Sequence, residues 1–183
     1  MSKVKSLSVG NGDMFYIKHG SDNFSTIDCC LSNDNRDSII KELKEESKNK
    51  NITRFISTHP DSDHVQQLDF LDDKMPIVNV YCVKNETTKK DETDGFKRYC
   101  SLRDGDKAYN VSKGCRRKWM NEGDETRGAA GINFLWPNTD NQFYKDALKI
   151  AKDGGNPNNI SPIFTYSIEY GAKYQWMGYL ETD

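Results

Sequence analysis

At 183 residues with 35% hydrophobic side chains, the chain is sized for one domain around one modest core, spanning residues 1–183. Its 28 acidic and 26 basic residues nearly cancel to a formal net charge of −2, which excludes a polyanion binder over the whole surface but leaves local basic patches open. No apolar run approaches ~18 residues, so no transmembrane helix is expected and no membrane partner is implied. The N-terminal MSKVKSLSVGNGD has lysines but no apolar centre, so it does not read as a signal peptide. The five cysteines are an odd number with no zinc-knuckle spacing, which fits reduced thiols in a cytoplasmic protein.

In chain order, KVKSLSV alternates as a strand does, GNGD is a turn, and MFYIKHG and FSTIDCC read as two further strands. Together they predict an antiparallel start to a sheet. NDNRDSIIKELKEESKNKN reads as a helix capped by Asn33 or Asp34, with Ile39, Ile40 and Leu43 as its apolar stripe and i,i+4 Lys–Glu pairs on its outer face. ITRFIST is a buried-type strand, VQQLDFL a short helix and PIVNVYCV a strand. Strand, helix and strand in that order predict a parallel crossover. Residues 84–130 are polar, glycine-punctuated and dense in both charges, and read as a long excursion with one or two short elements. INFLWP is a strand stopped by Pro137, NQFYKDALKIAK a helix, and SPIFTYSIEYG with AKYQWMGYLE a final hairpin turning near Gly171.

The densest chemistry lies in FISTHPDSDHVQQL, residues 55–68. Two of the chain's three histidines fall there, interleaved with aspartates just after a strand. His59, Asp61, Asp63 and His64 can converge on a tight loop, because a loop does not spread them over helical faces. Imidazole and carboxylate ligands suit Zn²⁺, Mn²⁺ or Fe²⁺. With no cysteine in the cluster, a structural thiolate site is disfavoured, and an oxygen-rich site leaves room for water. The competing reading is an acidic surface loop with two incidental histidines.

THPDSDH resembles the HxHxDH signature of the metallo-β-lactamase superfamily, and most closely the HxDxDH variant found in the hydrolase domain of DNA-uptake channel proteins of the ComEC type. LSVGNGDMFYI is similar to that family's opening VGQGD hairpin, STIDCC to its IDGG strand end, INFLWP to its later LxP strand, and NNISPIFTYSIEYGAKYQWMGYLE to its NxxSxV…LLTGDLE hairpin. The resemblance implies an α/β fold, the αββα sandwich, incomplete at its C-terminus. It implies one or two divalent ions, zinc or manganese, with His59 and Asp61 on the first, Asp63 and His64 on the second, and Asp61 or Asp63 taking a proton from water. Asp28 matches the acidic residue that braces the metal loop from behind, against the plainer reading of a strand-end turn former. Asp13 lies on the turn beside the site, where a hairpin-turn role competes equally.

Two departures accompany these matches. Tyr179 stands where the family carries its bridging aspartate, and a phenol lacks the charge to hold two cations together. Glu181 and Asp183 share its strand face as substitutes. The family's HHGS-like segment does not follow, since the sequence ends at Asp183 and the third histidine, His19, lies far upstream. Cys29 and Cys30 also replace the usual glycines. A C-terminal part is therefore expected to be missing, leaving an apolar face of Ile163, Phe164, Tyr166, Ile168 and Trp176 open to self-association as a homo-oligomer. Arg116, Arg117 and Lys118 beside Trp119 suggest contacts to nucleic acid, against the alternative of a solvated loop of mixed charge. The expected function is a metal-dependent hydrolase of the phosphodiester or nuclease type, inactive as given. The alternative is a degenerate, non-catalytic module of the same fold serving in binding, regulation or assembly.

Overall fold

The computed structural model describes residues 1–168 and 172–178. Its centre is a mixed sheet of six strands. β1 (Lys3–Ser6), β2 (Phe15–Lys18) and β3 (Asn23–Ile27) run antiparallel, as the two short connections between them dictate. β4 is the short Cys29–Cys30 strand, which bridges Val65 and Gln66 outside this sheet. From β3 the sheet continues in parallel through β5 (Ile52–Ile56), β6 (Val80–Val83) and β7 (Ala108–Val111). A second, antiparallel sheet of three strands is built from β8 (Asn133–Trp136), β9 (Ile163–Ser167) and β10 (Lys173–Trp176).

Period-two alternation gives the large sheet two apolar faces. Tyr16, Phe24, Phe55, Val80 and Cys82 point to one side, where the helices α1 (Arg36–Glu46), α3 (Leu68–Lys74) and α4 (Asp94–Arg103) cover them. Ile17, Ile27, Ile56, Tyr81, Val83 and Val111 point to the other side. There they meet Phe134, Phe164 and Tyr166 of the small sheet and Tyr144, Ala147 and Ala151 of α5 (Gln142–Lys152). The architecture is thus a mixed α/β domain in layers: helices, a large sheet, then a small sheet with its own helix. No helix among the described residues is long and apolar enough to cross a membrane. All five cysteines are free thiols.

Several expectations need correction. α1 buries Ile39, Ile40 and Leu43 as predicted, but it starts after Asn35 rather than Asn33 or Asp34, and its cap side chain accepts no bond from the helix. Its glutamates pair outward to the sheet instead of along the helix: Glu42 takes Lys5 at 2.5 Å, and Glu46 takes Lys18 at 3.1 Å. The helix expected at VQQLDFL is broken into α2 (Ser62–Val65) and α3, because Gln67 adopts φ +55° between them. Residues 84–130 carry two elements, α4 and β7, within the one or two that the sequence suggested. Thr93 caps α4 by accepting from the Phe96 amide, Phe96, Tyr99 and Leu102 form a buried stripe, and β7 extends the sheet. The final hairpin pairs as expected, but Phe164 and Tyr166 are buried, and Trp176 packs edge-on against Phe15 at 4.8 Å. The expected open apolar face is therefore closed at these residues by the large sheet.

The segment after β7 is pinned by buried polar groups rather than by apolar ones. Arg54 is 3% exposed, and no carboxylate among the described residues pairs with it. Its guanidinium donates to Asn23 Oδ1, to Ser25 Oγ and to the carbonyl of Trp119. Asn23 in turn donates to the Gly128 carbonyl, and Arg127 pairs with Asp22. His19 joins this network through Ser25 at 2.9 Å. Burial, aided by the charge of Arg54, lowers the His19 pKa to about 3. The unfolded chain therefore binds a proton at His19 that the folded chain refuses. That contribution to stability is fully present above about pH 6.5 and is lost as pH falls toward 3, with a slope approaching ~1.4 kcal/mol per pH unit. Denaturant melts between pH 7 and 4 should include this slope, and His19→Gln should lower the total slope by about that amount. An equally steep loss in the variant would assign the acid sensitivity to other groups.

Candidate active site

The site sits at the carboxyl ends of two adjacent parallel strands. β3 ends at Ile27 and β5 at Ile56, and the Asp28 amide donates to the Ile56 carbonyl at 2.9 Å. Asp28 takes φ +55°, a left-handed conformation that aspartate tolerates better than most side chains. Its fully buried carboxylate then faces the start of the loop. It accepts from the Thr58 amide at 2.8 Å, from the Thr58 hydroxyl at 2.6 Å and from His64 Nδ1 at 2.9 Å. Three donors on one carboxylate make it the anionic partner. Burial alone drives the pKa of Asp28 upward, against these hydrogen bonds. Burial also works against charge on His64, but the hydrogen bond and the field of Asp28 prevail and raise its pKa above the ordinary histidine value.

The two histidines lie together, with ring centroids 4.0 Å apart. Because the Thr58 hydroxyl gives its proton to Asp28, its 3.1 Å contact with His59 needs the N–H of His59 Nδ1. Ser161, on the turn before β9, lies 3.2 Å from the same nitrogen. Burial lowers the His59 pKa to about 3, with the charge of His64 acting in the same direction, so the ring is neutral. In the neutral state both imidazoles are thus protonated at Nδ1 and carry their lone pair on Nε2.

The aspartates divide. Asp63 is half exposed, with Oδ2 at 3.7 Å from His64 Nε2. Asp61 stands just before α2 and is held by Lys89, whose ammonium donates to Oδ1 at 2.7 Å. Burial opposes charge on Asp61, yet the Lys89 hydrogen bond and charge outweigh it and hold the carboxyl below its ordinary value. Asp13 lies close enough to feel His64, Asp28 and Asp63, and burial raises its pKa. The glycine turn that carries Asp13 is pressed onto the loop. A Cβ on Gly12 would fall 2.4 Å from the Asp63 carbonyl and 2.3 Å from Cys30 Sγ, so only glycine fits there.

As arranged, this donor set does not form a ready metal centre. His64 Nε2 and Asp63 face each other at a spacing suited to two ligands of one ion, but Asp61 is committed to Lys89. Among the described residues, no three His, Cys, Asp or Glu side chains gather closely enough to hold an ion. A scan against protein-family models gives no match, and a search of curated proteins finds no significant relative.

The loop places His59, His64 and Asp63 near one another and holds Asp61 on Lys89, with Asp28 behind His64 and Asp13 close by, but the four expected ligands do not converge as the sequence suggested. Tyr179, Glu181 and Asp183 lie outside the described residues. The basic cluster is elsewhere and is matched locally. Arg116 pairs with Glu122 at 3.1 Å, Lys118 with Asp124 at 2.8 Å, and Arg117 stacks on Tyr109 at 4.4 Å. Trp119 lies under Arg127, with its carbonyl accepting from Arg54. This arrangement favours the solvated-loop reading of that segment. Sequence reasoning missed Lys89, Thr58, Ser161 and Gly12. Thr58 and Gly12 stand inside quoted motifs, and Ser161 occupies the serine of the NxxSxV match. Lys89 gives no signal among its charged neighbours.

Removing the Asp28 carboxylate strands the Thr58 donors and His64 in the interior. Asp28→Ala should cost about 3–5 kcal/mol by denaturant unfolding, while Asp13→Ala at the site's edge should cost less than about 1 kcal/mol. Equal costs would mean that Asp28 does not carry the loop.

Proposed function

We propose that this chain is a metallohydrolase-type module of the metallo-β-lactamase kind, with the 59–64 loop as its centre and phosphodiesters, including those of nucleic acid, as its substrate class. The single observation that carries the reading is the buried Asp28–His64 pair. A carboxylate on Nδ1 fixes the ring and sets Nε2 toward Asp63, which is how protein sites orient a histidine ligand. The layered α/β architecture and the loop's place at the ends of β3 and β5 are compatible with the αββα sandwich that the sequence resembles.

In this reading His59, Asp63 and His64 would hold one ion, zinc or manganese, only by drawing closer together than they stand here, and Asp61 would join only if Lys89 withdrew. When bound, such an ion lowers the pKa of its water and neutralises charge on a phosphoryl oxygen. The chain's own groups do the positioning. Asp28 sets His64, Thr58 and Ser161 set His59, and Asp63 is the carboxylate exposed enough to accept a proton from water. The phosphodiester class rests on the resemblance of THPDSDH and not on the Arg116–Lys118 cluster.

A second reading, a non-catalytic module, is favoured by one specific contact. The Lys89–Asp61 ion pair puts a protein cation where a ligand carboxylate would be needed. The two readings separate in a calorimetric titration of Mn²⁺ and Zn²⁺. The chain should take up at most one ion, weakly, and His59→Ala with His64→Ala should abolish that uptake. Lys89→Met should raise the affinity by about tenfold, the equivalent of ~1.4 kcal/mol. Uptake unchanged by the double histidine substitution would end the metallohydrolase reading. An unaltered Lys89→Met would show that Asp61 is not a latent ligand.

A further inference from the structure

Along the same edge of the sheet, beyond the loop, lies an open cleft of about 700 Å³. That volume is within the roughly 300–1,000 Å³ of small-molecule sites. Lys84 and Asn85 line it where β6 ends, and Val111 and Ser112 where β7 ends. In an open parallel sheet, ligands bind in the crevice outside the carboxyl ends of strands. α5 closes the cleft with Leu148 and Lys149, and Arg103 reaches in from the end of α4.

The charges of this cleft are not balanced. Four basic side chains line it, Lys84, Arg103, Lys149 and Lys152, against the two carboxylates of Glu86 and Asp104. Both carboxylates are already taken: Glu86 by Lys152 at 2.5 Å and Asp104 by Arg103 at 2.7 Å. The positive excess therefore falls on Lys84 and Lys149. This is the reverse of the Arg116–Lys118 segment, where acids answer the bases. The rim is also braced. Buried Asn85 donates to the Val83 carbonyl and to Tyr99 Oη, both at 2.8 Å, and accepts from the Thr87 amide and from Arg103. A rim held in place loses little freedom when a ligand arrives. Between the charges, Val111, Tyr144 and Leu148 supply an apolar floor, and Asn110, Ser112 and Thr139 supply hydrogen-bonding groups.

We propose that this cleft binds a phosphorylated small molecule of nucleotide size, its phosphate on Lys84 and Lys149 and its ring on Leu148 and Val111. Cations that meet no carboxylate among the described residues call for an anion, and the apolar floor calls for more than phosphate alone. The proposal is independent of the metal reading, because none of these residues belongs to the 59–64 loop.

The test is a titration of the full chain with inorganic pyrophosphate and with adenosine 5′-monophosphate, in the presence of a chelator so that the loop holds no metal. Amide chemical shifts locate the binding, and calorimetry measures it. Both probes should shift the amides of residues 84–87, 111–112 and 148–152, and added salt should weaken both. Lys84→Gln with Lys149→Gln should weaken both by at least about tenfold. The unfolding midpoint should stay unchanged, since both lysines are exposed. Leu148→Asn should weaken the nucleotide and spare pyrophosphate. Absence of binding by either probe at about 1 mM, a level that corresponds to only ~4 kcal/mol, would overturn the proposal. So would shifts centred on the loop or on residues 116–119, or a double variant that binds as tightly as the parent chain.

Discussion

One buried carboxylate organises the edge of this sheet. Asp28 leaves β3 in a left-handed turn, and its side chain takes both the amide and the hydroxyl of Thr58 as β5 ends. A carboxylate with no water around it is costly, so each of its donors is under strong constraint. The same oxygen that takes the Thr58 hydroxyl also takes His64 Nδ1, which fixes the far end of the 59–64 loop. Thr58 then passes the constraint to His59, since a hydroxyl that has given its proton away can only accept. Both imidazole orientations thus follow from one fully buried side chain just beyond the end of β3.

Against that inner order, the outer half of the loop is set by an ion pair. Lys89 comes from the segment after β6, lies above the Phe96 ring at 5.5 Å and closes on Asp61. Its aliphatic stem is packed and its charge is answered, so it is more than a passing surface contact. The loop therefore has two parts of different character. His59 and His64 are locked from beneath by neutral and anionic groups, whereas Asp61 is held from above by the Lys89 ammonium. The segment that carries Lys89 begins at Lys84, on the rim of the basic cleft, so the two features share one stretch of backbone.

Much of this was legible in the sequence, and for identifiable reasons. The alternation of KVKSLSV and MFYIKHG, the stripe of Ile39, Ile40 and Leu43, and the apolar run of ITRFIST each carry a periodicity that the fold obeys. The density of His and Asp in residues 59–64 marked the loop, and Asp28 was recognisable from its motif. What escaped did so because its pattern was diluted. In α4 the stripe of Phe96, Tyr99 and Leu102 is spaced by Lys97, Arg98 and Ser101, and β7 alternates over only four residues. The break at Gln67 depends on a backbone angle that no side-chain pattern announces. Lys89 and Arg54 escaped for a different reason: each is a charge whose partner is far away in sequence, so burial and pairing exist only once the chain is folded. The Arg116–Lys118 cluster failed in the opposite sense, since composition shows the bases but not which acids will answer them.

The central claim, that Asp28 fixes the orientation of the site through His64, is open to one direct measurement. Nitrogen-15 NMR of the imidazole rings distinguishes a protonated ring nitrogen from one with a free lone pair. In the chain without metal, above the pH at which His64 loses its second proton, the spectrum should show Nδ1 protonated and Nε2 bearing the lone pair, and Asp28→Asn should erase that preference. A neutral His64 protonated at Nε2, or a tautomer that does not respond to Asp28→Asn, would contradict the account.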